Sequence, residues 1–482
     1  MGRLPFVRAG LTGLVLVLLA WTVLAIWHSV KPIPEGLNFA GPLHGAEHVV
    51  FLTDETWVNE HGVRQLDHRI FERKLELINQ AERLVVADFF LFNEFAGNPD
   101  GVDLRPLSSK MTEALIRRRE ENPELRIVFI TDPINTLYDG VAAAQFDALR
   151  AAGVELVFTD LEPLRDSNPA WSGLWRLCCR WLGNSPGGVL PNPVGEEPVS
   201  LRTWLSMANF KANHRKALIV DQGETWTGLV TSANPHDASS AHGNMAIEFS
   251  GPAALDLLAS ERAILAFSAP ESQLPIPPIG NRPENPPESR VRVLTEAAIR
   301  DAVIERLAET GQESRVDLAM FYLSHRAIIQ AIIETRERGA EVRVLLDPNE
   351  HAFGRNKNGV PNRPVAAELK RAGIEVRWCH TTGEQCHSKQ LLIRHADDRL
   401  VLIGGSANFT RRNLDNLNPE TNVEWTSTTD SAEAKASIEW FERRWHNTDG
   451  RSYSLDYAEY ADERRWRYWQ YRMMEATGLS TF

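Results

Sequence analysis

Apolar residues along the chain form short, strand-like runs that alternate with segments of helical spacing. Residues 83–92 (RLVVADFFLF) are one such β-rich run, and residues 126–133 (RIVFITDP) are a second, which closes on Asp-Pro. Strands that alternate with helices are typical of α/β domains. The pattern therefore predicts an α/β fold.

The same series of elements occurs twice. Three segments of the first half have counterparts, in the same order, in the second: residues 83–92 match 315–324 (RVDLAMFYLS), 126–133 match 342–348 (VRVLLDP), and 148–158 (ALRAAGVELVF) match 368–378 (ELKRAGIEVRW). In the last pair, each copy has a helix end, a Gly that can take the left-handed cap and a strand. Repetition of this length predicts two similar α/β units within one chain.

The N-terminal segment is apolar enough to cross a membrane. Residues 9–30 carry no formal charge, and at about 1.5 Å per residue such a helix spans a hydrocarbon layer roughly 30 Å thick. Arg3 and Arg8 precede it, so the positive-inside rule places the N-terminus in the cytoplasm and the rest of the chain outside it. A cleaved signal peptide is the alternative, but residues 28–32 (HSVKP) offer no clean small-x-small cleavage site. We predict a retained single-pass anchor with an extracytoplasmic body.

A linker and two end segments complete the predicted organisation. Residues 269–289 contain seven prolines and little apolar periodicity, which is typical of a connecting segment. We therefore predict an anchor over 1–44, a first unit over 45–268, this linker, a second unit over 290–450 and an aromatic, basic tail over 451–482.

The two units differ in the length of the segment that follows the last of these matches. Residues 153–214 are much longer than their counterpart, 373–387, and the insertion covers about 161–210. It carries apolar residues at helical spacing: Trp171, Leu174, Trp175, Cys178, Trp181 and Leu182. A helix at the membrane interface, a lid over a lipid site and an ordinary amphipathic helix packed on the domain all fit this pattern. The run 464–472 (RRWRYWQYR) likewise fits a lipid headgroup layer or a packed helix.

Charge and cysteine content narrow the function classes. The 482-residue chain has 52 basic and 64 acidic side chains, a formal charge of −12, which argues against a generally basic, nucleic-acid-coating surface but allows a local basic cleft. The four cysteines are Cys178, Cys179, Cys379 and Cys386, and their spacing does not predict a structural metal site. Vicinal cysteines rarely bridge each other, whereas Cys379 and Cys386 fit either a disulfide or two buried thiols.

Two short motifs carry the candidate chemistry. His214, Lys216 and Asp221 form H-x-K-x4-D, and His387 with Lys389 forms a second H-x-K. Each is followed by Ser-Ala-Asn, with Ser232 and Asn234 in the first copy and Ser406 and Asn408 in the second. One H-x-K is weak evidence, but two copies in equivalent places of a duplicated unit are strong evidence.

These motifs resemble the signature of the phospholipase D superfamily, and the resemblance extends over residues 49–445. Residues 231–237 (TSANPHD) are further similar to bacterial membrane-associated phospholipase D-like proteins akin to cardiolipin synthases. The resemblance implies two α/β/α sandwich domains related by a pseudo-twofold axis, a phosphodiester substrate and no metal or other cofactor.

The reaction implied by this resemblance explains why the motif is doubled. Displacement at a phosphodiester needs a nucleophile on one side of phosphorus and a proton donor for the leaving oxygen on the other. By resemblance His214 is the nucleophile that forms a phosphohistidine and His387 is the general acid, although the symmetry of the sequence alone does not order them. Lys216 and Lys389 lie two residues along a strand from their histidines, hence on the same face, where they can neutralise the nonbridging oxygens.

Further residues are assigned by the same resemblance. Substrate contacts are expected from Ser232, Asn234, Ser406, Asn408, Glu248 and Glu424. The serines and asparagines would hydrogen-bond the phosphate oxygens, and the two glutamates would hold the second nitrogen of each histidine unless they are surface carboxylates. Asp221 is counted with the catalytic residues as the last member of the first motif, where it is expected to be a structural partner rather than a reactant.

The sequence departs from the superfamily pattern at two positions. Arg394 stands where the second motif would have Asp, and Thr231 stands where Gly usually precedes the first Ser. Asp132 and Asp347 end matched strands before Pro, where a turn and a place in the site are equally consistent with the sequence. For the other histidines near the motifs a surface or structural role is favoured: His236, His242, His325, His351 and His380.

The leading hypothesis is a membrane-anchored phosphodiesterase or phosphatidyltransferase whose partners are a phospholipid substrate and the bilayer, including cardiolipin-synthase-like transfer. The alternative is an exported, metal-independent endonuclease, which the acidic charge and the apolar insertion disfavour. A third hypothesis is a catalytically silent lipid-binding module, for which substitution of either motif histidine would leave function untouched. Headgroup, acceptor and oligomeric state do not follow from the sequence.

Overall fold

Two mixed β-sheets, one in each half of the chain, organise the protein. The structure, a computed structural model, describes residues 4–46, 48–95, 104–195, 197–277, 288–352, 355–480 and 482. The strands of the first half are β1 (His44–Gly45), β2 (Val49–Val58), β3 (Arg64–His68), β4 (Leu84–Phe89), β5 (Arg126–Thr131), β6 (Glu155–Phe158), β7 (Lys216–Gln222), β8 (Thr225–Thr231) and β9 (Asn244–Ser250). Those of the second half are β10 (Arg290–Thr295), β11 (Arg315–Met320), β12 (Glu341–Leu346), β13 (His351–Ala352), β14 (Arg355–Asn356), β15 (Glu375–Cys379), β16 (Lys389–Arg394), β17 (Arg399–Gly405), β18 (Thr421–Thr428) and β19 (Ser454–Asp456).

Helices connect and flank these strands. In chain order they are α1 (Leu4–Val30), α2 (Ile70–Gln80), α3 (Leu107–Glu121), α4 (Ala144–Ala151), α5 (Pro169–Cys178), α6 (Leu201–Met207), α7 (Pro252–Ser268), α8 (Ala297–Ala308), α9 (Arg326–Glu337), α10 (Asn362–Arg371), α11 (Arg411–Leu414), α12 (Ala432–His446) and α13 (Arg465–Thr477).

The two sheets share one topology. The first has the order β3-β2-β9-β8-β7-β4-β5-β6, and the second has β1-β10-β18-β17-β16-β11-β12-β15-β19. From β2 to β6 and from β10 to β15 the strands correspond one to one, with β4-β5-β6 and β11-β12-β15 parallel and the other pairs antiparallel. The prediction of two similar α/β units is confirmed.

The strand pairing shifts the alignment of the first repeated segment by one residue from the alignment that sequence similarity gives. Phe89 lies opposite Lys216 in the first sheet, and Met320 lies opposite Lys389 in the second. Phe89 therefore corresponds to Met320 and Phe90 to Phe321, whereas matching the letters had paired Phe89 with Phe321. Identity of side chains favoured one register, but backbone hydrogen bonds set the other.

One apolar core joins the two sheets. It contains Ile219 and Ile247 from the first sheet and Leu402 and Trp425 from the second, and each is at most 1% exposed. Because truncating one such buried aliphatic side chain typically costs about 2–5 kcal/mol, this shared core holds the halves as a single body.

The chain ends also cross between the halves. β1 pairs with β10 of the second sheet, and the Phe51 N–H of β2 donates to Glu433 Oε2 of α12 at 2.8 Å. β19 extends the second sheet beside β15, so the C-terminal segment is continuous with that sheet rather than detached from it. Most of the Pro-rich linker lies outside the described residues, and the domain boundaries stay a prediction.

The insertion packs against the N-terminal helix. Within α1, Ala9–Val30 has a mean hydropathy of 2.3, enough by length and composition to cross a membrane. Trp21 Nε1 donates to the Ala170 carbonyl of α5 at 2.8 Å, and a Cβ on Gly173 would lie 3.1 Å from the Trp21 ring. The helical spacing predicted through Leu182 ends earlier, at Cys178.

Both cysteine pairs form disulfides. Cys178 and Cys179, at the end of α5, are joined, so the expectation that vicinal cysteines stay unbridged is wrong here. Cys379 and Cys386 are joined across a Cα–Cα distance of 6.2 Å. The second bond ties the end of β15 to the residue before His387.

Candidate active site

The two motif histidines lie where the halves meet. His214 and His387 each stand two residues before a central strand, β7 or β16. The His214 N–H donates to the Pro419 carbonyl at 2.9 Å, and the His387 N–H donates to the Gly243 carbonyl at 2.7 Å. Each histidine is thus anchored by the opposite half, in a reciprocal exchange that fits the expected pseudo-twofold relation.

His214 is held by a carboxylate. Its Nδ1 lies 2.7 Å from Glu420 Oε1, and Glu420 is fully buried. Hydrogen bonds from Ser406 Oγ and Asn413 Nδ2 fix the carboxylate in turn. A carboxylate accepts only, so Nδ1 carries the proton and Nε2 presents its lone pair to the junction.

His387 is held by an amide instead. Its Nδ1 lies 3.1 Å from Asn244 Oδ1, while Asn244 Nδ2 donates to the His242 carbonyl at 3.1 Å. Because the amide nitrogen is committed to that carbonyl, the oxygen faces the ring and His387 also carries its proton on Nδ1. The two rings share a tautomer, but one has an anionic partner and the other a neutral one.

Glu248 and Glu424 do not hold the histidines, which corrects the sequence-based assignment. Glu248 accepts from Arg73 Nε and Nη2 at 2.7 Å each, and Glu424 accepts from Arg292 and Arg306. Each glutamate lies four residues beyond a residue that does hold a histidine, Glu248 beyond Asn244 and Glu424 beyond Glu420, which places it roughly 13 Å farther along the chain. The available signal was a polar residue at or just before the start of the strand. Asn244 is the first residue of β9, and Glu420 directly precedes β18.

Ser232 and Ser406 lie behind these partners rather than in the cleft. Ser232 Oγ accepts from the Met245 N–H at 3.1 Å and donates to Asn244 Oδ1 at 3.0 Å. Ser406 Oγ accepts from the Thr421 N–H at 2.9 Å and donates to Glu420. Both serines are fully buried and support the histidine partners, and their contact with a phosphate stays a prediction.

Asn234 and Asn408 occupy equivalent, nearly buried positions after β8 and β17. Asn234 Oδ1 accepts from the Leu91 N–H at 3.1 Å, so its amide nitrogen is the group suited to donate to a ligand. Their contact with a phosphate stays a prediction.

The two motif lysines mirror each other. Lys216 Nζ donates to the His214 carbonyl at 2.8 Å, and Lys389 Nζ donates to the His387 carbonyl at 2.7 Å. Both side chains are buried under an aromatic ring, with Lys216 Nζ 5.2 Å from the Phe90 centroid and Lys389 Nζ 5.0 Å from that of Phe321.

Phe90 and Phe321 also contact the histidines. The Phe90 and His214 ring centroids are 4.7 Å apart, and those of Phe321 and His387 are 5.0 Å apart. Sequence reasoning missed both, because their equivalence depends on the strand register; an aromatic residue directly after each matched strand was the signal.

Two buried aspartates position the segments that carry the histidines. Asp132 accepts from the Asn213 N–H at 2.7 Å, and Asp347 accepts from the Cys386 N–H at 2.8 Å. Each of these amides belongs to the residue just before a motif histidine. Burial raises the pKa of both carboxyl groups to about 7. These residues do more than cap turns, although both also accept from turn amides.

The electrostatics of the junction favour an anion. Burial lowers the pKa of His214 to about 4, against the opposing effect of Glu420, and it lowers the pKa of Lys216 to about 8. Burial, followed by the charge of Lys389, holds the pKa of His387 well below its usual range. Burial, followed by the charge of Lys216, does the same to the pKa of Lys389. A bound phosphodiester would stabilise every protonated group here, so this arrangement can bind a phosphate and exchange protons with its oxygens.

A family sequence model described as "Cardiolipin synthase, PLD-like domain" matches residues 303–445. The matched stretch contains His387, Lys389 and Asn408 with the strands that carry them, and the first half repeats those strands around His214 and Lys216. The second half of the chain is therefore similar in sequence to a phospholipase D-like domain.

Three solved structures have a similar course of the chain, and one of them is a phospholipase D family member. Phosphatidylserine synthase of Haemophilus influenzae is 11% identical, with a TM-score of 0.47, over 91% of this chain and 94% of its own. Polyphosphate kinase of Porphyromonas gingivalis is 11% identical, with a TM-score of 0.46, over 94% of this chain and 55% of its own. The phospholipase D family member Nuc of Salmonella typhimurium is 17% identical, with a TM-score of 0.26, over 35% of this chain and 99% of its own. No curated protein matches the sequence. At such scores the likeness carries no statement about the reaction.

The last position of the phospholipase D motif is not part of the junction. Asp221 lies five residues beyond Lys216, roughly 17 Å along β7. It accepts from Arg83 Nε at 2.6 Å and from the Gly223 N–H at 2.8 Å. These contacts support the structural role expected of Asp221.

Arg394, which replaces the aspartate in the second motif, also forms an ion pair. Its Nη2 lies 2.9 Å from Asp317 Oδ2 on β11 and 3.1 Å from Glu442 Oε1 on α12. The second half therefore keeps a charged contact at this end of the strand with acid and base exchanged.

Proposed function

We propose that the protein is a membrane-anchored phosphodiesterase or phosphatidyltransferase that acts on phospholipids through a phosphohistidine. The observation that carries the proposal is the reciprocal junction, where two imidazoles of fixed tautomer and two lysine side chains come together from opposite halves. This is the set of groups that in-line displacement at phosphorus requires.

The different partners order the two histidines. His214, neutral at pH 7 because of its low pKa, attacks phosphorus through Nε2. A phosphorylated imidazole carries positive charge, which the Glu420 carboxylate 2.7 Å from Nδ1 stabilises. Lys216 and Lys389 balance the charge on the nonbridging oxygens.

His387 serves as the acid and later as the base. An imidazolium whose partner is the neutral Asn244 holds its proton less tightly than one paired with a carboxylate, so it is the better donor. The bound anionic substrate first raises the pKa of His387, so that Nε2 takes up a proton from solvent. As the P–O bond breaks, Nε2–H of His387 protonates the leaving alcohol. The same nitrogen then takes the proton of water or a second alcohol, whose oxygen attacks phosphorus while the P–N bond to His214 breaks.

Three features support a phospholipid as the substrate. The α1 segment Ala9–Val30 is a candidate membrane span, Phe90 and Phe321 line the junction with apolar surface, and the matching family model is described as cardiolipin synthase-like. The two disulfides support an extracytoplasmic body, since such bonds persist in oxidising compartments.

The test uses the full-length protein reconstituted in mixed phospholipid vesicles with a short alcohol and a chelator. Phosphatidic acid and phosphatidyl-alcohol are followed by mass spectrometry, with His214→Ala and His387→Ala beside the wild type. Product in the wild type and none in either variant supports the proposal, and the product ratio shows whether water or alcohol is the acceptor. Product that persists in both variants, or plasmid nicking without lipid turnover, would overturn it.

A further inference from the structure

The insertion exposes a cluster of large apolar side chains beside the N-terminal helix. Leu174, Leu177, Trp181 and Leu182 are 44%, 39%, 72% and 60% exposed. All four lie on α5 or in the residues directly after it, and we call them the α5 patch. Contiguous apolar surface of this kind on a folded protein marks an interaction site.

The contact between α5 and α1 sets the depth of the patch. Trp21 of α1 holds the Ala170 carbonyl of α5 and touches Gly173, and Ala25 packs on the same glycine. Trp21 lies 30 − 21 = 9 residues before the end of the apolar run at Val30, roughly 14 Å along a helix. In a hydrocarbon layer roughly 30 Å thick, that places α5 among the acyl chains of one leaflet rather than above them.

Several polar groups of α5 have partners within the protein, as such a position requires. Arg176 is buried and pairs with Asp166 through two contacts of 2.5 and 2.9 Å. Trp171 Nε1 donates to the Leu205 carbonyl at 2.9 Å, and the Asn168 side chain accepts from the Trp171 N–H at the helix start. Polar groups satisfied within the protein are the condition for immersion in lipid.

The rim of the patch has the composition of a membrane interface. The Arg180 guanidinium lies 4.4 Å from the Trp181 ring centroid, and that of Arg202 lies 3.8 Å from the Trp175 ring centroid. Tryptophan and arginine together suit the headgroup layer, where the ring stays in the apolar region and the guanidinium reaches phosphates.

We propose that the α5 patch is a second membrane contact, inserted in the leaflet that receives the C-terminal end of α1. This inference rests on the proposed membrane anchor and names the surface that the anchor alone does not supply. One helix would tether the body but leave it free to tilt, whereas α1 and α5 together fix which side of the body faces the lipid.

A short hydrogen-bonded path connects the patch to the reacting histidine. Ser167 Oγ, just before α5, donates to Asn418 Oδ1 at 3.2 Å, and the same oxygen accepts from the Ala212 N–H at 3.2 Å. Pro419 directly follows Asn418, and its carbonyl accepts from the His214 N–H. The contact therefore holds the junction of the two halves, with its histidines, at the bilayer surface. There a phospholipid headgroup reaches the histidines while the lipid stays in its leaflet.

The direct test is photocrosslinking of the full-length protein in phospholipid vesicles. Trp181→p-benzoylphenylalanine should give lipid adducts by mass spectrometry. Val63→p-benzoylphenylalanine is the matched control, because Val63 is similarly exposed at 54% but lies next to β3, at the opposite edge of the first sheet from β6, which leads into the insertion. Crosslinks from position 181 to a second copy of the chain, or no lipid adduct there, would overturn the proposal.

A kinetic test separates this contact from the chemistry. The double variant Trp181→Glu, Leu182→Glu should lower kcat/KM for vesicle phospholipid about tenfold and leave turnover of a soluble short-chain phosphodiester unchanged, whereas Val63→Glu should change neither. Unchanged vesicle turnover in the double variant, without lipid adducts, removes the contact and leaves the proposed function standing. Lipid adducts at position 181 in a protein that turns over no phosphodiester leave the contact standing and remove the function.

Discussion

The two halves of the molecule place the same motif at equivalent strands, but the motif histidine has a different hydrogen-bond partner in each half. His214 faces the buried carboxylate of Glu420, and His387 faces the amide of Asn244. The backbone contacts that hold the two rings are otherwise matched. A duplicated fold has thus kept its geometry and changed one charge, and in the proposed mechanism that charge gives the two imidazoles different roles.

A second difference lies at the far ends of the same strands. Asp221 pairs with Arg83 in the first half, and Arg394 pairs with Asp317 in the second. Here the sign of the charge is reversed without consequence for the junction. The halves thus differ in charge at both ends of these strands, but only the difference beside the histidines touches the junction.

The largest effect should come from the histidines themselves. On phospholipid, His214→Ala and His387→Ala should each lower kcat by about 10³-fold or more. On a p-nitrophenyl phosphodiester, whose leaving group needs no proton, His387→Ala should keep a rapid first release of p-nitrophenol while His214→Ala should not. Stopped-flow absorbance measures this release, and a burst retained by His214→Ala instead would reverse the assigned roles.

Removal of the carboxylate should be the next largest effect. Glu420→Gln keeps the shape but not the charge that stabilises the phosphorylated ring, so kcat should fall about 10²- to 10³-fold. Glu424→Gln is the matched control, since this buried glutamate binds Arg292 and Arg306 and should leave kcat within about twofold in protein that stays folded. Equal losses in both variants would argue that Glu420 acts only through stability.

Giving both histidines a carboxylate partner should shift the pH profile of kcat/KM. Asn244→Asp puts a negative charge beside His387, which raises the pKa of that ring by about one unit or more. Because the acid must be protonated to act, the fall in kcat/KM at high pH should shift to higher pH by the same amount. The low-pH limb reports His214, whose pKa is about 4, and should stay in place. A shift of the low-pH limb alone would contradict the assignment.

The smallest effect is expected at the distant ion pairs. Asp221→Asn and Arg394→Met should each lower the melting temperature by roughly 2–4 °C and leave kcat unchanged, because neither side chain contacts the junction. Thermal unfolding and steady-state kinetics on the same preparations provide the check. A loss of kcat in Asp221→Asn without a change in melting temperature would return this residue to the catalytic set.

The sequence by itself determined the features that depend on local pattern. The repeated apolar runs predicted two α/β units, and the doubled H-x-K motifs identified His214, Lys216, His387 and Lys389, because strand periodicity places each lysine on the face of its histidine. The apolar helix at the N-terminus was likewise evident from composition.

Only the tertiary structure decided which groups act on those residues. Glu420 lies 206 positions from His214, and Asn244 lies 143 positions from His387, so no local spacing could link them. Strand register, set by backbone hydrogen bonds, brought Phe90 and Phe321 into correspondence. Packing of α5 on α1 joined the insertion to the N-terminal helix. Each of these contacts crosses between distant segments, and such contacts exist only once the two sheets have formed and packed.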